Sequence, residues 1–318
     1  MVIKKATVGF LVVTFLIFSM FSHTEAATDN PLKIRASALM GFDDNVNLNS
    51  TRKSDLFGQE TISLNYQKRP TQSFKYRLSS NLINVNYFEV TDQNIFLPSV
   101  GAGLDIVVFP KTVLETDYNF SYIDFPNDIS VSSFNHDGRI GLKRVLTKDL
   151  ILRVGFDASS REFEDRKLTQ ANGFLSTSTE RNDRCYAVDS DLSIYASNNT
   201  LLKLGFIYDW NDSNDLFHDY YDYEDFKFFT GVSVEWSPKI SAFAKFSYER
   251  RDYHSRPLLD FVGVFENDDI YSASGGLFYK FTPNISLSGI TNYRQKNSNE
   301  PSQKYSGLIF TLGFTYSF

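Results

Sequence analysis

The chain has 318 residues and only one cysteine, Cys185. A single thiol makes no internal disulfide, so covalent cross-links do not hold this fold. Prolines number nine, and no Pro- or Gly-rich stretch marks a linker. Beyond residue 27 no apolar run is long enough for a spanning helix. Helical periodicity is scarce throughout. Histidine is rare too: past residue 27 only His136, His218 and His254 occur. There is no Ser-centred nucleophile elbow, no His pair at zinc spacing and no Gly-rich phosphate loop. The expectation is a protein that is not an enzyme, with no catalytic residue, no cofactor and no resident metal. A hydrolase assembled across strands would have to use His136 or His254. Net charge is −6, spread along the chain, which argues against a nucleic-acid footprint.

The front of the chain sets a compartment. Lys4 and Lys5 precede an apolar run from Ala6 to Phe21, and small residues follow at Thr24, Ala26 and Ala27. This is the layout of a secretory signal peptide, so residues 1–26 are expected to be removed and 27–318 to form the mature domain. Loss of Lys4, Lys5 and Glu25 would take the net charge from −6 to about −7. No cysteine follows the run to carry a lipid anchor.

Aromatic residues are abundant, with 30 Phe and 18 Tyr, yet the mean hydropathy is slightly polar. Two-residue alternation explains both. Leu202, Leu204, Phe206, Tyr208 and Trp210 share one phase, as do Leu308, Phe310, Leu312, Phe314, Tyr316 and Phe318. Strands with one apolar and one polar face average to nothing unusual. The pattern predicts about 14 strands: 32–43, 58–67, 73–88, 98–108, 112–124, 133–145, 150–161, 183–196, 200–210, 225–236, 240–250, 269–281, 285–294 and 305–318. A phase change between Leu82 and Ile83 suggests a bulge or a misread boundary. Short turns alternate with long connections, the longest near 44–57, 162–182, 211–224, 251–268 and 295–304.

These features predict an all-β fold: a transmembrane antiparallel up-and-down β-barrel. Even counts of about 12 or about 16 strands are the neighbouring alternatives. A secreted sandwich or β-helix would also alternate, but seldom carries aromatics at so many strand ends. The lipid of an outer membrane would face the apolar phase. Localisation would be the bacterial outer membrane. The last strand would close on the first, leaving no edge. The ending on Tyr316 and Phe318 looks like the C-terminal signal read by barrel-assembly machinery.

The polar phase then points into a lumen. It carries Arg77, Glu115, Asp117, Arg139, Arg153, Asp189, Asp191 and Lys245, with Lys33, Arg35, Lys75, Lys143, Lys203, Lys227, Lys280 and Arg294 among further cations. Asp105, Asp157, Asp209, Asp225, Glu235 and Glu249 join the acidic set. Two readings follow. Neighbouring strands could neutralise one another, or a charged constriction could select ions or sugar acids. The sign of such a constriction is left open. Cys185 falls on the same inward phase and reads as an inert thiol.

Three outer segments carry chemistry. Residues 209–226 hold Asp212, Asp215, Asp219, Asp222 and Glu224 with interleaved tyrosines and no Lys or Arg until Lys227. Crowded carboxylates suit calcium, but the calcium-loop template fails because no Gly follows Ser213 and Tyr220 replaces the bidentate Glu. A solvated loop or a sugar-contacting one are the other readings. GFDDNVN, residues 41–47, could supply ligands or form Asx turns. RRDYHSRP, residues 250–257, reads as a charged rim with intraloop salt bridges.

GFDDNVN resembles the Gly-aromatic-Asp-x-Asn-Val segment of bacterial outer-membrane β-barrel porins of the exopolysaccharide-operon type. The closing region, from RRDYHSRP to NSNEPSQKYSGLIFTLGFTYSF, is similar as well. Ser298 and Asn299 before Tyr305 are similar to the barrels of surface-lipoprotein assembly modifiers. The resemblance implies a porin-like channel, with polysaccharide or export machinery as a partner. The alternative is a non-conducting surface or assembly barrel whose outer loops bind a partner.

Overall fold

The computed structural model describes residues 31–170, 173–217, 219–258 and 263–318. The expected signal peptide and His218 lie outside these residues. The fourteen strands are β1 (Leu32–Asp43), β2 (Asp55–Thr71), β3 (Phe74–Tyr87), β4 (Ile95–Phe109), β5 (Thr112–Ile123), β6 (Ser133–Thr147) and β7 (Leu150–Thr169), then β8 (Leu175–Ser197), β9 (Thr200–Ser213), β10 (Tyr223–Ser237), β11 (Ile240–Pro257), β12 (Phe265–Lys280), β13 (Ile285–Ser298) and β14 (Tyr305–Ser317). Each pairs antiparallel with its sequence neighbours, and β1 pairs with β14 to close the barrel. Three short 3-10 turns sit in the connections after β3, β5 and β13.

Closure answers the problem of a strand pattern that runs to the last residue. In lipid each unpaired backbone group costs several kcal/mol. Here the seam runs from Arg35↔Ser317 to Asp43↔Ile309. The Phe318 N–H extends it, donating to the Ile34 carbonyl at 2.9 Å. Outside, the apolar phase forms a continuous exposed band; Leu312 is 58 % exposed, Trp236 65 % and Phe281 52 %. Aromatic rings cluster at both strand ends. Tyr186–Trp210 stack and Tyr248–Tyr271 meet at a tilt on the long-loop side, while Tyr66–Tyr76 meet at a tilt and Tyr316–Phe318 edge to face on the short-turn side. Two such girdles are what the two interfaces of a bilayer select.

All fourteen expected strands are present, and the phase change in β3 marks neither a bulge nor a misread boundary, since the strand spans Phe74–Tyr87. β3 keeps one register from Phe74 to Val85 against β4, and its pairing with β2 is unbroken from Tyr76 to Tyr87. The phase change instead records a local inversion of polarity. Phe57 and Tyr87 lie inside, with rings 5.3 Å apart, while Asn84 bonds Glu60 on the outer face at 2.9 Å.

The long connections are also shorter than the pattern suggests, because strands continue past the apolar band. β7 reaches Thr169 and β8 starts at Leu175, so the 162–182 connection is mostly hairpin. Once a strand stands in water both faces are polar and the alternation disappears. Cross-strand pairs still hold it, such as Lys167–Glu180 at 2.8 Å. The register shifts between Glu162 and Lys167, and the hairpin leans over the β9–β10 turn. There the Leu216 N–H donates to the Thr169 carbonyl at 2.9 Å.

Candidate functional site: the barrel lumen

Every charged residue assigned to the lumen falls on the inward phase of its strand, and the register turns them into transverse rows. One row reads Arg77–Gly103–Asp117–Arg139–Asp157 across β3 to β7. The next reads Lys75–Asp105–Glu115–Gly141–Gly155–Asp189. Each cation on this wall meets carboxylates. Arg77 reaches Asp105 at 2.7 Å and Asp117 at 2.6 Å, and Lys75 reaches Asp105 at 2.8 Å. Arg139 bridges Asp157 at 2.8 Å and Asp189 at 2.7 Å. Glu115 stands 3.4 Å from Arg153 and 3.9 Å from Lys143.

Two glycines make these bridges possible. Arg139 lies on β6 and Asp189 on β8, so the guanidinium must cross β7. It does so over Gly155, where a β-carbon would collide with both groups. Gly103 plays the same part between Arg77 and Asp117. Mutual neutralisation therefore governs this wall.

The opposite wall differs. The row of Lys143 and Arg153 continues through Asp191, Gly205, Phe229, Ser247, Ser272 and Arg294. One position lower, Lys203, Gly231, Lys245, Ser274 and Asn292 align, and the row runs on through Ile309 to Asp43. Lys203 pairs with Asp191 at 3.2 Å and Lys227 with Glu249 at 3.3 Å. Lys245 and Arg294 have no ion pair among the described residues. Each lies near a ring instead, Lys245 at 5.4 Å from the Phe243 centroid and Arg294 at 5.9 Å from that of Tyr305. Small side chains between the cations leave a cavity of about 560 Å³, lined also by Phe229.

Sequence reasoning missed the inward aromatics. Phe228 and Phe229 are adjacent, so one had to face inward, and Gly205 opposite Phe229 supplied the space. A β-carbon at Gly205 would strike that ring.

Above this cavity a second one of about 360 Å³ lies beneath the leaning β7–β8 hairpin, lined by Arg161, Arg181, Arg251 and Arg256 with Tyr221 and Tyr253. Arg161 and Arg181 each lie 4.9 Å from the Phe163 centroid. Arg251 holds Asp225 and Glu249, each at 2.9 Å, and Arg256 holds Glu266 at 3.0 Å. Cys185 lines the same cavity, 3.9 Å from Asp209.

The outer segments turn out to be joinery. Of the acidic stretch, Asp212 lies among the last residues of β9, which ends at Ser213, and Glu224 lies in β10, so the turn spans 214–222 only. Asp215, 2 % exposed, accepts the Thr169 N–H at 2.8 Å. Asp222 accepts the Ser213 N–H at 2.8 Å, and Glu224 lies 3.3 Å from His254. Asp219 is exposed, with a left-handed φ of 43°. Asp215, Asp222 and Glu224 thus turn to three different partners, and no group of three or more metal-ligating side chains converges among the described residues. Burial raises the Asp222 pKa; the Ser213 N–H opposes this, and repulsion from Asp212, Asp219 and Asp183 adds to it.

GFDDNVN forms Asx turns and a staple. Asp43 accepts the Asn45 N–H at 2.9 Å, Asp44 accepts the Leu308 N–H at 2.6 Å, and buried Asn45 donates to the Ser306 carbonyl at 2.9 Å. RRDYHSRP belongs to β11, and most of its ion pairs cross strands instead of staying within a loop. Arg250 does meet Asp252 locally at 3.1 Å but also reaches Asp269 at 3.3 Å, while Arg251 points inward. His136 is on the outer face, where it shares a 2.7 Å hydrogen bond with the Tyr118 hydroxyl.

Residues 186–318 match a family model described as surface lipoprotein assembly modifier. No curated protein matches the chain. Among solved structures, the CymD monoaromatic hydrocarbon channel is similar in fold, with a TM-score of 0.54 and 10 % identity over 91 % of this chain and 89 % of that one. In-vitro folded OmpT, an outer membrane protein of Vibrio cholerae, gives 0.50 and 11 % over 90 % and 97 %. At such identities the fold alone is shared. The family match begins within β8 and takes in the cationic wall with Ser298, Asn299 and Tyr305, the positions at which the sequence resembles that family. The chain is a 14-stranded outer-membrane β-barrel whose C-terminal strands are similar to those of surface lipoprotein assembly modifiers.

Proposed function

We propose that the barrel is a conduit for small polar solutes across the outer membrane. The observation that carries this reading is the cavity of about 560 Å³ in the lumen, with Lys245 facing it in an exposed position. A filled interior would have neutralised or covered that ammonium, because a charge left unpaired away from water is costly. Export of a polysaccharide is the larger-cargo form of the same role. Tyr316 and Phe318, at the seam, are the residues we expect assembly machinery to engage. Purified barrel reconstituted in a planar bilayer should give discrete conductance steps. A folded barrel, verified by heat-modifiable gel migration, that never conducts would overturn the proposal.

A second reading is a surface or assembly barrel, favoured by the family match over 186–318 and by the Arg- and Tyr-lined chamber under the β7–β8 hairpin. On this reading the working part is the outer hairpin, and the partner is a surface lipoprotein. Replacing residues 163–181 with a two-residue turn should then abolish surface display of that lipoprotein, measured by whole-cell proteolysis, while the barrel still folds. Unchanged display would remove this reading.

A further inference from the structure

We propose that the cationic wall is a binding station for a small hydroxylated carboxylate, with Lys245 and Arg294 as its two anchoring charges. The class of ligand deepens the conduit reading and rests on it, but the site can be tested without conduction.

The argument begins with charge. Asp43 is the one carboxylate among the lining residues; outside the lining, Asp191 engages Lys203, and Glu249 is held by Lys227 and Arg251 and reaches Arg294 only through space, beyond ion-pair distance. Lys245 and Arg294 remain without an ion pair among the described residues. They stand on adjacent transverse rows, two strands apart, with Ser272 and Ser274 of β12 between them. No large side chain separates the two charges. A carboxylate in this space would replace bulk water with two charge-assisted hydrogen-bonding partners. Arginine presents a planar fork for such a group and lysine a mobile point charge.

The remaining lining specifies more than charge. Ser247, Ser272, Ser274 and Asn292 offer hydroxyl and amide groups that both donate and accept. A plain halide has no use for acceptors; a sugar acid has hydroxyls that need them. Phe229 supplies an apolar face of the kind that packs against a ring's C–H surface. The cavity volume falls in the range of small-molecule sites. The other wall could not serve. There Arg77 and Arg139 are each held by two carboxylates, and an added anion would meet that negative charge first.

The test uses the full folded chain in detergent and D-glucuronate as probe, with uncharged glucose as control. Calorimetric titration should give saturable glucuronate binding and none for glucose. The double variant K245E/R294E should weaken glucuronate binding by at least about tenfold, or about 1.4 kcal/mol. If that variant fails to fold, K245Q/R294Q should show the same loss. Absence of glucuronate binding, equal binding of glucose, or undiminished binding by the folded double variant would each overturn the proposal. Reversal potentials in a KCl gradient separate this from the conduit reading. Anion preference that reverses in K245E/R294E supports both. Saturable glucuronate binding by a barrel that never conducts keeps the station and sinks the conduit. Conduction with unchanged selectivity in the variant and no glucuronate binding does the opposite.

Discussion

The two walls of the lumen are built from the same residue types and behave differently. Across β3 to β8, five cations (Lys75, Arg77, Arg139, Lys143 and Arg153) meet five carboxylates (Asp105, Glu115, Asp117, Asp157 and Asp189) within salt-bridge range. In the two rows through the cavity on β9 to β13, serines, glycines and an aromatic ring stand where carboxylates would be, and Lys245 and Arg294 have no ion pair among the described residues. Having charge in a barrel therefore says little. What matters is the residue next along the transverse row, because that neighbour decides whether the charge is spent on the wall or offered to a solute.

Removing charges from each wall should expose the contrast. The largest loss is expected for Arg139→Ala, which strands Asp157 and Asp189. A fully buried pair would lose more, but a third of the Arg139 side chain is exposed, so about 2–3 kcal/mol is expected. The measurement is the urea midpoint of folded barrel in vesicles, followed by tryptophan fluorescence. Gly155→Ala should come next, at about 1–2 kcal/mol, because the new methyl displaces the Arg139–Asp189 bridge. An unchanged midpoint would mean the bridge does not depend on that gap.

Smaller effects lie at the outer turn and on the cationic wall. The raised Asp222 carboxyl favours the folded state while protonated. That contribution is complete below 3.8 and is lost as pH rises through the raised value. Asp222→Asn, which keeps an acceptor for Ser213, should flatten this part of the profile and be more stable than wild type at neutral pH. Equal slopes for wild type and variant would refute it. Lys245→Ala should cost the least, below about 0.5 kcal/mol, since no carboxylate is abandoned. A loss as large as that of Arg139→Ala would erase the distinction between the walls.

Strand positions and the inward phase were readable in the sequence because a bilayer demands an apolar face of fixed period. β1 begins and ends where the alternation does, and every proposed lumen charge faces inward. Legibility fails where that demand stops. Above the bilayer, β7 and β8 carry polar residues on both faces, so Glu162 to Asn182 looked like a loop. In β3 the inversion at Ile83 and Val85 looked like a bulge because the upper lumen there is apolar. Partner choice was illegible for another reason. Whether Lys245 or Arg139 is neutralised depends on residues one and two strands away, which only register aligns.

The seam bears on how such a hoop comes together. β1 meets β14 over nine paired positions, whereas it meets β2 over twelve. The joint that closes the ring is thus poorer in paired positions than the one beside it. Asp44 and Asn45 act as a clasp at its outer end, each tied to the start of β14. A ring under outward strain parts at its scantiest joint, so the clasp sits where the hoop needs it most.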